Sequence, residues 1–589
     1  MKIRNYVRLA GAVSLAFALA ACGGDDPADA GSPPAAGPSA PGAQPGPDKP
    51  APDKPAPDKP APDKPAPNPP VSAATRAILD ADPASYAALA PVAEPGYTLL
   101  GRIKPRTTAE LKAQGLTSHL MIGGETTDRN FSVFSNWREY LNPLGTTKVR
   151  IQSGWNDIEQ TITTPATYNF AKLDEIIDGA IEQKHEPMVF LGYGNVRPGC
   201  TDCGGAGLGG SFPTGAGKER FLNFVAATVA RYKDKVTDWQ IWNEPTKDLE
   251  TYKTLIVETA KLIKQIQPNA KLTIGSWYTV HYVLSCMENC NDSADNQDAR
   301  NYILTSLKYF NDNKGPTVPA EDVYVAFHPY TTNVDYDQNP WDARSMDNFL
   351  ALLRGYGFKP RMDENGAPST PCMTYAMCDG GTKAWTEKNQ AKYNLRRVLG
   401  DLARGIETSM FTISDLHYND AKNTKGLLTT GVWEPNLDTP FLNGDQRIAG
   451  KKIAYGAFQN VTALFDSRME PVPAHGCTAP AGYTAHAWRQ RKDGVEATVI
   501  GVWKMTRLPV PDTAEPRAVV QVSCNGIGFG GLAATGAAPR YVDMMDGRVY
   551  DMPAGTISAN APGAVTMSVP VADWPALVVD ARVLEGALR

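Results

Sequence analysis

Glu244 and Glu387 are the residues from which a chemistry can be built. Val236 to Trp242 reads as a short buried strand of aromatic and β-branched residues, and Pro245 breaks it just after Asn243-Glu244. An Asn-Glu pair at the C-terminal end of a buried strand is how a barrel presents catalytic groups to a substrate. Taken alone, it is equally a solvated strand end before a turn proline. A matching carboxylate shifts that balance: Thr382-Lys383-Ala384-Trp385-Thr386-Glu387 reads as a second short strand closed by Glu. Two such carboxylates facing each other across a barrel mouth, about 5–5.5 Å apart, are what double displacement at a glycosidic carbon needs, one as acid/base and one as nucleophile. At that spacing both do not ionise easily, so one keeps a proton while the other stays charged. No metal or organic cofactor is required.

The elements that must position this pair are strand–helix units. Candidate strands end near Gly123, Ile151, Tyr193, Asn243, Gly275, His328, Glu387 and Asp415. Between them run amphipathic stripes: Leu173, Ile176, Ile177, Ala180 and Ile181; Tyr252 through Ile266, stopped by Pro268; and Leu395, Val398, Leu399 and Leu402. Strand then helix, eight times, predicts an α/β fold of the (β/α)8 barrel type. A doubly wound open sheet competes, but no Gly-rich phosphate loop follows the first strand. Arg150, Trp155, Glu159, Tyr193, Asn195, Trp277 and His328-Pro329-Tyr330 stand at or just beyond strand ends. Each alone is as well explained by structure; their shared position at one barrel end marks them as candidate substrate-binding residues.

These residues resemble a retaining glycoside hydrolase of clan A, most like family 39. The resemblance spans roughly Leu120 to the C-terminus. It rests on Ile241-Trp242-Asn243-Glu244-Pro245, Trp385-Thr386-Glu387, Arg150, His328-Pro329-Tyr330, and the run from Gln390 to Gly405 leading to Asp415. It implies Glu244 as acid/base, Glu387 as nucleophile and Asn243 as ligand of the sugar 2-hydroxyl. Arg150 and Tyr330, with His328 beside them, would hold Glu387 ionised and oriented, leaving the proton on Glu244. Many members place a Trp at the end of the eighth strand as the floor of the sugar site. Here that stretch reads Thr412-Ile413-Ser414-Asp415, so Trp433 supplies the floor or it is missing.

With 589 residues, a net charge of −5 and 21% charged residues, the chain is ordinary for a soluble globular protein and lacks the basic excess of a nucleic-acid binder. Residues 1–21 read as a signal peptide: Lys2, Arg4 and Arg8 precede an apolar run from Leu9 to Ala20 too short to span a membrane permanently. Leu19-Ala20-Ala21-Cys22 resembles a bacterial lipobox, which implies lipidation of Cys22; Gly23 after it implies outer-membrane sorting. Residues 22–72 form a Pro/Ala/Asp/Lys spacer with tandem Pro-Asp-Lys-Pro-Ala copies from Pro47. Residues 73–465 are assigned to the barrel. Residues 466–589 lose helical periodicity and become short strands between Gly, Pro and Asp turns, a β-sandwich. Cys-x-x-Cys can mean metal or redox chemistry, but no second His/Cys cluster accompanies it. An exported chain favours disulfides, Cys200–Cys203, Cys286–Cys290, Cys372–Cys378 and Cys477–Cys524.

The function expected is hydrolysis of an envelope or extracellular polysaccharide, an exopolysaccharide first among them, by a monomer lipid-anchored in the cell envelope. Two alternatives stay open: a polysaccharide-binding lipoprotein that has lost turnover, and a transglycosylase.

Overall fold

The computed structural model describes residues 71–589, apart from 374–376, 379–383, 439–441, 493, 512–516, 528, 530–537 and 562. The signal peptide, Cys22 and the spacer expected from the sequence lie outside the described residues. Ala73–Arg589 forms one compact unit.

The first strand is β1 (Thr98–Arg102). Eight more follow: β2 (Leu120–Gly123), β3 (Lys148–Gln152), β4 (Glu186–Leu191), β5 (Asp238–Ile241), β6 (Lys271–Trp277), β7 (Val323–Phe327), β8 (Lys359–Met362) and β9 (Glu407–Met410). β2 to β9 close into a parallel barrel, with β2 pairing β9 through Leu120↔Thr408 and Ile122↔Met410. The predicted barrel is therefore present. Its outer layer includes the helices Ala171–Glu182 and Leu249–Ile266, whose buried Leu173, Ile176, Ile177, Leu255 and Ile263 are the stripes read from the sequence.

The seventh strand differs from its expected place. It is Lys359–Met362, and the helix Glu387–Leu402 starts where a strand end was predicted. Thr386 caps that helix, its side chain accepting from the Asn389 N–H. The eighth strand ends at Met410 rather than near Asp415.

A charge network inside the barrel accounts for the polar β8. Arg361 meets Asp238 of β5 at 2.8 Å and Glu407 of β9 at 2.7 Å, and Lys148 of β3 reaches the same Glu407 at 2.5 Å. The guanidinium lies 3.8 Å over the Tyr324 ring. Burial disfavours charge on Glu407, yet Arg361 and Lys148 outweigh it and hold the carboxyl down at about 2.

The remaining strands make two antiparallel sheets. One runs, in spatial order, β1, Arg548–Asp551, Arg540–Asp543, Ala576–Val579, Val495–Lys504, Tyr483–Lys492 and Met469–Pro471; the other runs Cys477–Thr478, Ala518–Asn525, Ala564–Val571 and Ile557–Ala561. Ile500, Val502 and Val578 of the first pack with Val522, Met567 and Val569 of the second, which makes the expected sandwich. β1 belongs to this sheet, so the segment beginning at residue 73 is not purely barrel. Lys392 of the barrel helix pairs with buried Asp573 at 2.7 Å, and Trp503 donates to Asp335 at 2.8 Å, docking sandwich on barrel. All four expected disulfides are formed.

Candidate active site

The site gathers at the C-terminal ends of the barrel strands. Beyond β5, Trp242 and Glu244 adopt left-handed φ of 65° and 45°, a conformation that residues with a Cβ hold only under constraint from around them. The turn aims Asn243 at Arg150 and Glu244 at His328. That arginine, fully buried on β3, uses its whole fork: Nε donates to Gln240 (2.7 Å), Nη1 to Glu125 (2.6 Å) and Glu364 (2.8 Å), and Nη2 to Asn243 (2.6 Å). Asn243 in turn donates to the Tyr193 hydroxyl at 2.9 Å.

Glu364, two residues past β8, is the carboxylate opposite Glu244. Besides Arg150 it accepts from the Tyr330 hydroxyl at 3.0 Å. Its side chain is partly open, as is that of Glu244. His328, at the end of β7, links the two: Nδ1 lies 2.7 Å from Glu244 and 3.9 Å from Glu364, and Nε2 lies 2.9 Å from Asp363. One ligand atom each from Glu244, His328 and Glu364 fall within 4.8 Å of one another. Burial opposes charge on His328, but Glu364 and Asp363 outweigh it and push it up to about 10, so the ring is an imidazolium that donates from Nδ1 to Glu244. Asp363, with Ser276 donating to it at 2.9 Å, is held below the usual carboxylate range against its burial by His328 and Arg150.

Glu387 is elsewhere. As first residue of its helix it accepts from the Ser85 hydroxyl at 3.0 Å and the Ile453 N–H at 3.4 Å, so it tethers helix starts and an N-terminal turn and is no partner of Glu244. Glu364 takes the place expected for it, and Arg150 and Tyr330 hold Glu364 instead. Trp155 is also corrected: it is buried between Phe221 and Phe224, its Nε1 donating to Glu159 at 2.7 Å. Trp277 is buried in the same large core beside Tyr252 of a flanking helix, so it offers no open platform for a sugar. Trp433 donates to the Tyr418 carbonyl at 2.7 Å. Glu244, Asn243, Arg150, Tyr193, His328 and Tyr330 are brought together.

The sequence reading omitted Glu364, Asp363, Glu125, Gln240 and Lys425. Burial pushes Glu125 up to about 7 against the pull of Arg150. Burial pushes Lys425 down to about 8, against Glu364 and Glu244, and its Nζ lies 4.2 Å over the Tyr330 ring. The Asp363-Glu364 pair had a signal: Gly357, the left-handed cap ending the helix Pro340–Tyr356, announces a new strand just before it. Glu244, His328 and Glu364 are spaced like metal ligands, but the imidazolium, Arg150 and Lys425 crowd positive charge around them and oppose a divalent cation.

A (β/α)8 barrel with a carboxylate pair at its mouth is thus the class that fold and site define. No protein-family model and no curated relative matches the chain. Among solved structures it is similar to a family 39 glycoside hydrolase from the gut symbiont Bacteroides cellulosilyticus WH2, at 14% identity over 79% of this chain and 81% of that one, TM-score 0.48. It is similar to the GH39 enzyme from Xanthomonas axonopodis pv. citri, at 14% identity, 83% and 97% coverage, TM-score 0.46. A family 30 subfamily 8 xylanase from Clostridium acetobutylicum matches at 10% identity, 82% and 99% coverage, TM-score 0.42.

Proposed function

We propose that the chain is a retaining O-glycoside hydrolase with Glu364 as nucleophile and Glu244 as acid/base. The observation that carries this reading is the spacing of the two carboxylates, whose ligand oxygens lie within 4.8 Å, in unlike surroundings. That gap leaves no room for a water between Glu364 and an anomeric carbon, so the carboxylate attacks directly. Glu364 is held in place by Arg150 and Tyr330, while Glu244 faces His328 Nδ1–H, and the His328–Glu244 pair supplies the proton a leaving group needs. In the first step the Glu364–carbon bond forms as the glycosidic bond breaks and the departing oxygen takes the proton through Glu244. In the second, Glu244 takes a proton from water, the water oxygen bonds to the same carbon, and Glu364 leaves as carboxylate. Asn243, fixed by Arg150 and Tyr193, stands where it can bond a sugar hydroxyl.

The substrate is a polysaccharide or oligosaccharide, with an exopolysaccharide of the cell envelope as the favoured polymer. The lipobox-like Leu19 to Cys22 and the Pro/Ala/Asp/Lys-rich stretch after it support a lipid anchor at the outer membrane, where a tether of that composition suits a polymeric substrate, and the protein is proposed to act as a monomer. A sugar in place of water in the second step would make the same site a transglycosylase. Incubation of residues 73–589 with a glycan panel, followed by NMR of the first-formed product, tests the reading. Retention of anomeric configuration is expected; an inverted product overturns the mechanism. Binding without turnover favours a polysaccharide-binding lipoprotein.

A further inference from the structure

Arg397 is an exception among the deeply buried arginines. Arg150, Arg361 and Arg396 each meet carboxylates: Glu125 and Glu364, Asp238 and Glu407, and Asp335. Arg397 is as buried, on the helix Glu387–Leu402, yet its Nε and Nη2 have no acceptor among the described residues. Those two nitrogens form the edge with which a guanidinium grips an anion side-on, as Arg231 grips Asp174 at 2.8 and 2.6 Å. Taking a permanent charge out of water without giving that edge a partner is costly.

Other orphaned groups surround the same place. Asn394, one helical turn before Arg397, and Asn365, next to Glu364, are both buried, and neither amide has a partner for its oxygen or nitrogen among the described residues. The Tyr393 hydroxyl lies beside both Arg397 and Asn365, which places them in one cluster. The Arg397 charge also acts on the buried His281 ring. The Tyr336 ring covers the guanidinium at 4.3 Å. Acids in the neighbourhood are engaged otherwise: Asp401 accepts from Tyr336 (2.9 Å) and Thr408 (3.1 Å), and Asp342 from Asn339 (2.5 Å).

We propose that Arg397, Asn394 and Asn365 form a buried binding site for a small inorganic anion of chloride size. One fixed positive charge and two amide donors suit a single negative charge. The engaged carboxylates of Asp401 and Asp342 nearby argue against a dianion. The site lies one residue behind Glu364 but does not depend on the glycosidase reading, because its occupancy is measured without turnover.

The experiment compares the melting temperature of residues 73–589 in sodium chloride, sodium bromide and sodium gluconate at equal ionic strength. A saturable rise in the two halides is expected, about 2 °C at a hundredfold excess over the dissociation constant for a unit of this size. Gluconate, too large for an enclosed site, gives none. Arg397→Gln removes the halide increment; should that variant fail to fold, Asn394→Leu weakens it. Crystals grown in bromide should show an anomalous peak within hydrogen-bonding reach of Arg397 Nε and Nη2. Equal melting temperatures in halide and gluconate, with density at the site that scatters only as water, overturn the proposal.

Discussion

Exchanging Glu364 and Glu387 separately for Gln puts the carboxylate assignment to its sharpest test. Glu364→Gln removes the proposed nucleophile opposite Glu244. The fold should tolerate it, because Arg150 still pairs with Glu125 at 2.6 Å and lies 3.6 Å from Asp363, so no buried charge is stranded. The stability cost is then that of weakening two hydrogen bonds, roughly 1–3 kcal/mol. Turnover should fall by roughly 10⁴–10⁶-fold, the scale of losing a covalent catalyst, while substrate still binds. Glu387→Gln gives the reverse. Its bonds to Ser85 and the Ile453 N–H, plus its charge at a helix start, sum to about 1–2 kcal/mol. For a unit of more than 500 residues that lowers the melting temperature by only about 1–2 °C, and kcat/KM should stay within a few-fold of wild type. The assay is kcat/KM on the best glycan of the panel, with binding followed calorimetrically and a 2-fluoro-glycoside used to label the nucleophile for peptide mapping. Label on Glu387, or full turnover by Glu364→Gln, refutes the reasoning.

Three further outcomes are expected. His328 is raised from 6.5 to about 10, so its stabilising contribution is whole below about pH 6.5 and is lost as pH rises through about 10; the melting-temperature gap between wild type and His328→Gln should narrow over that window, and a constant gap contradicts the imidazolium. Replacing both Cys477 and Cys524 with Ser opens a loop of 47 residues and should cost ~4 kcal/mol in the chain-entropy picture, read as a lower denaturant midpoint; an unchanged midpoint denies the bridge that role. Cys22→Ser in the full chain should move the protein out of the membrane fraction, and membrane recovery at the wild-type level would remove the lipid anchor.

The barrel was legible because most of its strands are apolar runs and its helices carry clean stripes. Trp239 and Ile241 announce β5, and Val323, Val325 and Phe327 announce β7. Half of the site followed, since Asn243, Glu244, Arg150, Tyr193, His328 and Tyr330 sit on or beside such strands. β8 was hidden by its own job. Lys359-Pro360-Arg361-Met362 fills the barrel with an ion network instead of aliphatic bulk, so it has neither alternation nor an apolar run. Trp385 misled in the opposite sense: it is buried against Tyr393 and looks like a strand residue, while Thr386 and Glu387 are the cap and acidic first turn of a helix. Glu125 was invisible for another reason. Its side chain folds back so closely that a Cβ on Gly123 would come within 2.0 Å of its Oε2, a contact between neighbours that no periodicity reports.

The place of β1 in the sandwich sheet sets an order of events for the nascent chain. Thr98 pairs with Asp551, and the Val92 N–H bonds the Tyr550 hydroxyl 458 residues further along. Everything between, the barrel included, must emerge before this edge finds its neighbours, a contact of very high order. Until then β1 is an open strand with unpaired backbone groups, a template for wrong pairing. A truncation that keeps the barrel and ends near residue 465 makes that exposure permanent. Such a fragment should be judged by its aggregation before its inactivity is charged to the catalytic residues.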